Sequence, residues 1–317
     1  MPNRNMVFIL VLMLGISPGL SGCGDDNHGA VPTYHADIAP LLDKHCTGCH
    51  TSDGAGPFDL STPESARLHA QASWSAIEAG RMPPWLPDPD CRHYRDERVM
   101  SAAEKSLFRD WVDGDTPVGE PDEHGSSPGD AEEKAPAFTI THTLEPEAPY
   151  LPNEGLTDDY RCFPLNLEVT EDLYIRASQV LPGSTALVHH VLIYVVTPDM
   201  VSTMESLDAA EEGPGYTCFG GPQTGVPHPV GAWVPGMEPA VLDVGLGMHL
   251  PTGSRVIMQV HYNLITDETE TDLTRWQVEL TSEEPEWLLE SLPFPNLDIV
   301  IPAGETQSVQ ERIFENK

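Results

Sequence analysis

The sequence predicts a chain of more than one domain, in which a small all-α domain precedes an all-β one. Three observations predict it. At 317 residues the chain exceeds one typical domain and can bury more than one core. Amphipathic helical stripes are confined to residues 27–118, whereas from Ala137 onward β-branched runs separated by Pro and Gly take over. With 31 Pro and 26 Gly the whole is turn-rich, which weighs against helical bundles. Charge and composition exclude two classes. Sixteen Lys+Arg against 50 Asp+Glu give a net charge of −34, a surface that repels nucleic-acid phosphates. A hydrophobic content of 39% with 6 Trp, 8 Tyr and 8 Phe is too rich for a wholly disordered acidic chain.

In chain order, the first element is an export signal, residues 1–22. It starts positively at Arg4, runs through the apolar stretch MVFILVLMLGI (6–16) and ends in Leu20-Ser21-Gly22-Cys23. The run is too short to span a membrane as a helix. Small residues just before a Cys resemble the bacterial lipobox, in which Cys23 is lipidated and becomes the mature N-terminus. The bland alternative is an ordinary secretory signal with an incidental Cys23. Gly24 rather than Asp resembles the outer-membrane sorting pattern. The expected place is therefore outside the cytoplasm, lipid-anchored to the bacterial outer membrane on the periplasmic side, where disulfides persist.

Residues 23–118 form the expected helical domain. Residues 35–44 carry Ile38, Leu41 and Leu42 on one side. Ser101-Ala102-Ala103-Glu104 reads as a capping box opening a helix over 101–113, with Leu107, Phe108, Trp111 and Val112 as its stripe. Cys46-Thr47-Gly48-Cys49-His50 is C-x-x-C-H. Two thiols at this spacing can form thioethers to both vinyl groups of one haem, with the next residue placed to ligate the iron. A disulfide or zinc pair with an incidental histidine is the other reading. The second axial ligand is expected to be Met82, in the Pro-rich Gly80-Arg81-Met82-Pro83-Pro84-Trp85 loop, where a thioether would raise the reduction potential relative to bis-His ligation. Met100, His35 and His45 compete. His45 adjoins Cys46 and is badly placed for the opposite haem face, and Met100, just before a helix cap, reads as core.

Residues 119–136, acidic and rich in Gly, Ser and Pro, read as a linker. The β domain, 137–302, has strand-like runs at 173–180, 187–197 and 254–265. Within the second run, His189 and His190 are adjacent imidazoles in an aliphatic strand, where successive residues point to opposite faces. A metal shared by both rings would remove the cost of burying them unpartnered, provided the backbone twists or bulges. In the third run Val256, Met258 and Val260 share one face and Ile257, Gln259 and His261 the other, so His261 can supply a third nitrogen. Three neutral imidazoles suit copper or zinc, and satisfied core histidines remain the alternative.

Two resemblances sharpen these readings. CTGCH with the GRMPPW loop, over about ninety residues, resembles a small class I cytochrome c, which implies a low-spin His/Met haem c carrying single electrons. The ordered set Asp159-Tyr160-Arg161-Cys162-Phe163, Val188-His189-His190-Val191, Gly215-Tyr216-Thr217-Cys218, Leu250-Pro251-Thr252-Gly253-Ser254 and Gln259-Val260-His261-Tyr262 is similar to the N-terminal domain of copper type II, ascorbate-dependent monooxygenases. More narrowly, the chain resembles bacterial members that fuse a cytochrome c segment ahead of the copper domain. The resemblance implies a jelly-roll-like β-sandwich, a copper held by His189, His190 and His261 that stores and relays an electron, and a Cys162–Cys218 disulfide. It leaves Cys91 without a role and reads His249 as a loop histidine. The family's second, dioxygen-activating copper is held by a His-x-His pair and a Met in a following domain. Residues 262–317 contain neither His nor Met, so residues 303–317 read as the start of a missing domain, with the second copper expected on another polypeptide. The implied activity is dioxygen-dependent C–H hydroxylation, fed by haem, which in turn is fed by a redox protein or small reductant. The alternative is a non-catalytic electron-transfer or copper-binding lipoprotein. The acidic surface serves solubility or orients a basic redox partner.

Overall fold

The computed structural model describes residues 31–52, 54–85, 87, 93–94, 97–121, 137–153, 155–264, 270–294, 296 and 298–315. The export signal, Cys23, Cys91 and positions 122–136 of the expected linker lie outside the described residues. Two sheets organise the β-rich part. Their strands are β1 His142–Leu144, β2 Asp158–Leu165, β3 Leu173–Leu181, β4 Val188–Val196, β5 Tyr216–Thr217, β6 His228–Trp233, β7 Ala240–Val241, β8 Leu246–Leu250, β9 Arg255–Asn263, β10 Arg275–Thr281 and β11 Trp287–Leu288. One sheet runs β1-β10-β3-β8-β11 with β7 also on β3, and the other runs β5-β2-β9-β4-β6.

Alternation explains how the second sheet is covered on both faces. Along β9, Val256, Met258, Val260 and Tyr262 enter the main core, while Ile257 joins a smaller cluster with Cys162, Cys218, Tyr216 and Met204 on the opposite face. The main core lies between the sheets, where Leu250, Trp276 and Val278 meet Phe163, Ile193 and Val260. Each such fully buried aliphatic or aromatic side chain contributes about 1.5–3 kcal/mol relative to exposure. The smaller cluster is closed by α4, Val201–Asp208.

The helical part is built from a π-helical turn Tyr34–Ile38 running into α1 Ala39–His45, then α2 Pro63–Glu78 and α3 Ala102–Asp113. The capping box of α3 is made in full. Glu104 N–H donates to Ser101 Oγ at 3.2 Å, and Ser101 N–H donates to Glu104 Oε2 at 2.7 Å. Phe108 and Trp111 bury its apolar stripe against Tyr34, Ile38 and Leu42. Apolar periodicity did not announce α2. It is nevertheless signposted by Thr62, whose side chain accepts from Ser65 N–H just ahead of Pro63 at the first helical turn.

The expected fold class, a small all-α cytochrome c-like domain followed by an all-β jelly-roll-like sandwich, is corrected. Pro32–Lys317 is one compact unit. It is mostly sheet, with four short α-helices among the described residues, one of them within the β-rich part. The reason is physical. Helical periodicity reports that a segment has a buried face, not what that face packs on. Here the helical residues also touch the β part main chain to main chain, so tightly that a Cβ on Gly48 would come within 3.0 Å of Gly236 Cα. Among the described residues no helix is long and apolar enough to cross a membrane.

Candidate metal centre

β4 and β9 pair antiparallel, with one irregularity. Val188 faces Tyr262 and His190 faces His261, so His189 is the extra residue of a β-bulge. Val188 points into the main core before the bulge, and Val191, Ile193 and Val195 do so after it. Both intervening imidazoles are therefore turned to the outer face, the one that carries His261. The bulge resolves the conflict between two adjacent residues and one shared ligand.

The three rings converge through the same atom. Nδ1 of His189 lies 3.3 Å from Nδ1 of His190 and 3.1 Å from Nδ1 of His261, and the last two are 3.3 Å apart. Three nitrogens at such spacing share a point about 2 Å from each, the length of an imidazole–metal bond. His261 Nε2 sits 2.8 Å from Asp158 Oδ1, which fixes the ring's hydrogen on Nε2 and leaves Nδ1 a lone pair. Three inward-facing nitrogens have at most two hydrogens to share among them, and a cation bound between them would relieve the remaining repulsion. Tyr160 stacks on His261 with ring centroids 4.1 Å apart and planes within 6°. Burial first, then the His261 and His189 rings, pushes His190 down to about 4, so it is neutral and ligand-competent at pH 7. His261 is buried, His190 intermediate and His189 exposed, so the centre opens to solvent on one side. Among the described residues these are the three whose ligand atoms lie within 4.8 Å of one another.

Cys162 and Cys218 are joined, 56 residues apart, linking β2 to the residue just after β5 on the same outer face. Gln259 Nε2, two residues before His261, donates to Cys218 O. Cys46 and Cys49 are free. They end α1, where Cys49 N–H and His50 N–H both donate to Cys46 O, at 3.0 and 2.9 Å. Burial, and then Cys49, pushes the Cys46 thiol up to about 12. His50 is 8% exposed, and its Nδ1 meets Phe58 O at 2.9 Å, an orientation that leaves Nε2 for iron. A Cβ on Gly56 would lie 2.6 Å from that Nδ1, so the loop encloses the ring closely. The residues of the C-x-x-C-H turn thus fit a covalent haem.

The competitors for the second axial position divide clearly. His45 Nε2 is taken by Glu104 Oε1 at 3.1 Å, and Met100 is buried in the helical cluster. His35 packs edge-on to Tyr34. Met82 lies in the turn after α2, 38% exposed, its N–H bonded to Ala76 O, and no polar contact joins it to His50. His249 lies away from the centre, stacked on Tyr174 and 3.6 Å from Asp172. Two contributors escaped sequence reading: Asp158, whose strand alternation with Tyr160 and Cys162 placed it on the right face, and Pro235, for which only the Pro-Gly turn signal existed.

Compared with protein-family models and with curated proteins, the chain matches none.

Proposed function

We propose that the chain is a two-centre redox protein of the copper-monooxygenase type. In this reading His189, His190 and His261 hold one copper, while Cys46, Cys49 and His50 hold one haem c with Met82 as second axial ligand. Haem held there would supply electrons, and copper held there would relay them toward dioxygen-dependent C–H hydroxylation. The observation that carries the reading is the convergence of three Nδ1 atoms at 3.1–3.3 Å, with the outer nitrogen of one held by a carboxylate. When bound, the two metals supply one-electron chemistry.

The chain's own residues do the rest. Asp158 keeps His261 in the tautomer that presents Nδ1, and Tyr160 covers that ring. Phe58 O does the equivalent for His50. Imidazoles alone suit zinc as well, and copper is preferred on the resemblance of the ordered motifs. Residues 262–317 hold no His or Met, so the copper that this chain's residues would hold is the one at His189, His190 and His261, which serves electron supply. Lipid on Cys23 ties the protein to the outer membrane, and a redox protein or small reductant loads it. The second reading is an electron-transfer or copper-binding lipoprotein without hydroxylation, which the three-imidazole centre serves equally well.

Anaerobic reductive titration of the mature protein tests the reading. It is expected to take two electrons per chain, one developing a reduced c-type α-band and one removing a Cu(II) resonance. A protein that binds neither haem nor copper overturns both readings. Oxygen uptake on adding a partner with a His-x-His and Met site favours the first, and its absence the second.

A further inference from the structure

We infer that the turn Val234-Pro235-Gly236-Met237, which touches the Cys46–His50 turn and accepts hydrogen bonds from Arg98, is the electron route between the haem-attachment motif and the three-imidazole centre, with Arg98 and Gly236 as positioning residues. Such a route rests on the two cofactors of the proposed function. β6 ends at Trp233 and the chain reverses at once. Met237 N–H donates to Val234 O at 3.0 Å across Pro235 and Gly236, and Gly236 has φ +75°, the pattern of a type II turn. That internal bond uses the Val234 carbonyl, which leaves the Pro235 carbonyl for outside partners. Cys49 Sγ lies 3.5 Å from it, and both Arg98 Nη atoms donate to it at 3.4 Å.

The two turns meet where Gly48 and Gly236 bring their main chains together, a Cβ on Gly48 coming to 3.0 Å from Gly236 Cα. A Cβ on Gly236 would stand 3.3 Å from Cys49 Sγ and 3.2 and 3.3 Å from the Arg98 nitrogens. At the other end, Trp233 is the cross-strand partner of Val191, which directly follows His190. The path from Cys49 Sγ to His190 is therefore one close contact, a short run of main chain, one cross-strand step and one peptide. Electrons tunnel better through bonded and close-packed atoms than across gaps, so this path is favoured over solvent.

The transfer itself is simple in balance. One electron leaves Fe(II), giving Fe(III), and reduces Cu(II) to Cu(I), and no bond forms or breaks. Once Cys49 is a thioether its sulfur has no hydrogen to donate, so its contact with Pro235 becomes packing alone. The bonds from Arg98, which precedes α3, then tie the Pro235 carbonyl to the helical part.

The holoprotein, with haem and copper content and visible spectrum recorded, is compared with Arg98→Ala, Arg98→Lys and Gly236→Ala. Flash reduction of haem, followed by reoxidation of haem and loss of the Cu(II) resonance, gives the inter-centre rate. Arg98→Ala is expected to slow it about tenfold with both cofactors retained, and Arg98→Lys, which keeps one donor, to slow it less. In copper-free protein, amide exchange at Gly236 and Met237 is expected to quicken in Arg98→Ala. If Arg98→Ala fails to fold, Gly236→Ala, acting from the other side of the contact, carries the test. An unchanged rate with both cofactors present, or unchanged exchange, overturns the route and leaves the functional reading standing. Absence of haem or copper from the unaltered protein overturns both.

Discussion

The two candidate centres are specified in opposite ways. Cys46, Cys49 and His50 lie within five residues, and a single turn at the end of α1 sets them, with Cys46 O accepting from both later amides. His190 and His261 are 71 residues apart and meet only because β4 and β9 pair in one register with one slipped residue. A local site needs its turn, whereas a non-local one needs the whole sheet. The first should tolerate loosening of the sandwich, and the second should not.

The largest expected effect tests that contrast directly. Cys162→Ser with Cys218→Ser removes a bridge that closes a 56-residue separation, worth about 4 kcal/mol in the chain-entropy model. The bridge sits on the face that carries Gln259 and His261. Urea unfolding is expected to shift by that amount, with copper affinity falling and the c-type spectrum retained at intermediate urea. If haem environment and copper site are lost in one coincident transition, the contrast between the centres is wrong.

Next in size is His261→Ala. Copper affinity is expected to fall by more than about a hundredfold, beyond the roughly 10–100-fold cost of losing an outer partner. Isothermal titration of the haem-loaded protein measures it, and an unchanged α-band shows the damage is confined. Full retention of copper would remove His261 from the centre. Asp158→Asn sharpens the same site at smaller cost. The amide keeps an acceptor for His261 Nε2 but loses the charge, so affinity is expected to drop about tenfold. Equal affinity in the two proteins would show that the carboxylate orients nothing.

How much of this was legible follows the same division. The C-x-x-C-H motif, the Ser101–Glu104 capping box and the strands around His189 and His261 are local patterns, and each could be read from its own residues. The bulge at His189 was legible only as a need, since two adjacent imidazoles cannot share a ligand on a regular strand. Where the ladder slips depends on Tyr262 and His261 across the sheet. Asp158 was invisible for the same reason, because only its pairing opposite Asn263 brings it to His261. The division into an all-α and an all-β domain failed because packing partners are not written in periodicity. Gly48 and Gly236, 188 positions apart, decide it by lacking side chains.

The smallest expected effect lies on the helical side. Glu104 is held well below the usual carboxylate range by Lys44 first, then by the Ser101 N–H and His45. Its folded value is below its ordinary 4.5, so the stability it adds is complete above that pH and is lost as pH falls through the folded value. Because the group is partly exposed, solvent screening keeps the contribution small. Glu104→Gln is expected to cost about 1 kcal/mol or less at pH 7, from the weakened capping box and ion pair. The gap between the two proteins narrows steadily below about pH 4.5. Urea midpoints across that range measure it, with haem and copper spectra as monitors of each centre. A gap that persists unchanged into acid would mean the carboxylate acts through shape alone. A gap that appears in the copper signal before the haem signal would reverse the assignment of this contact to the local centre.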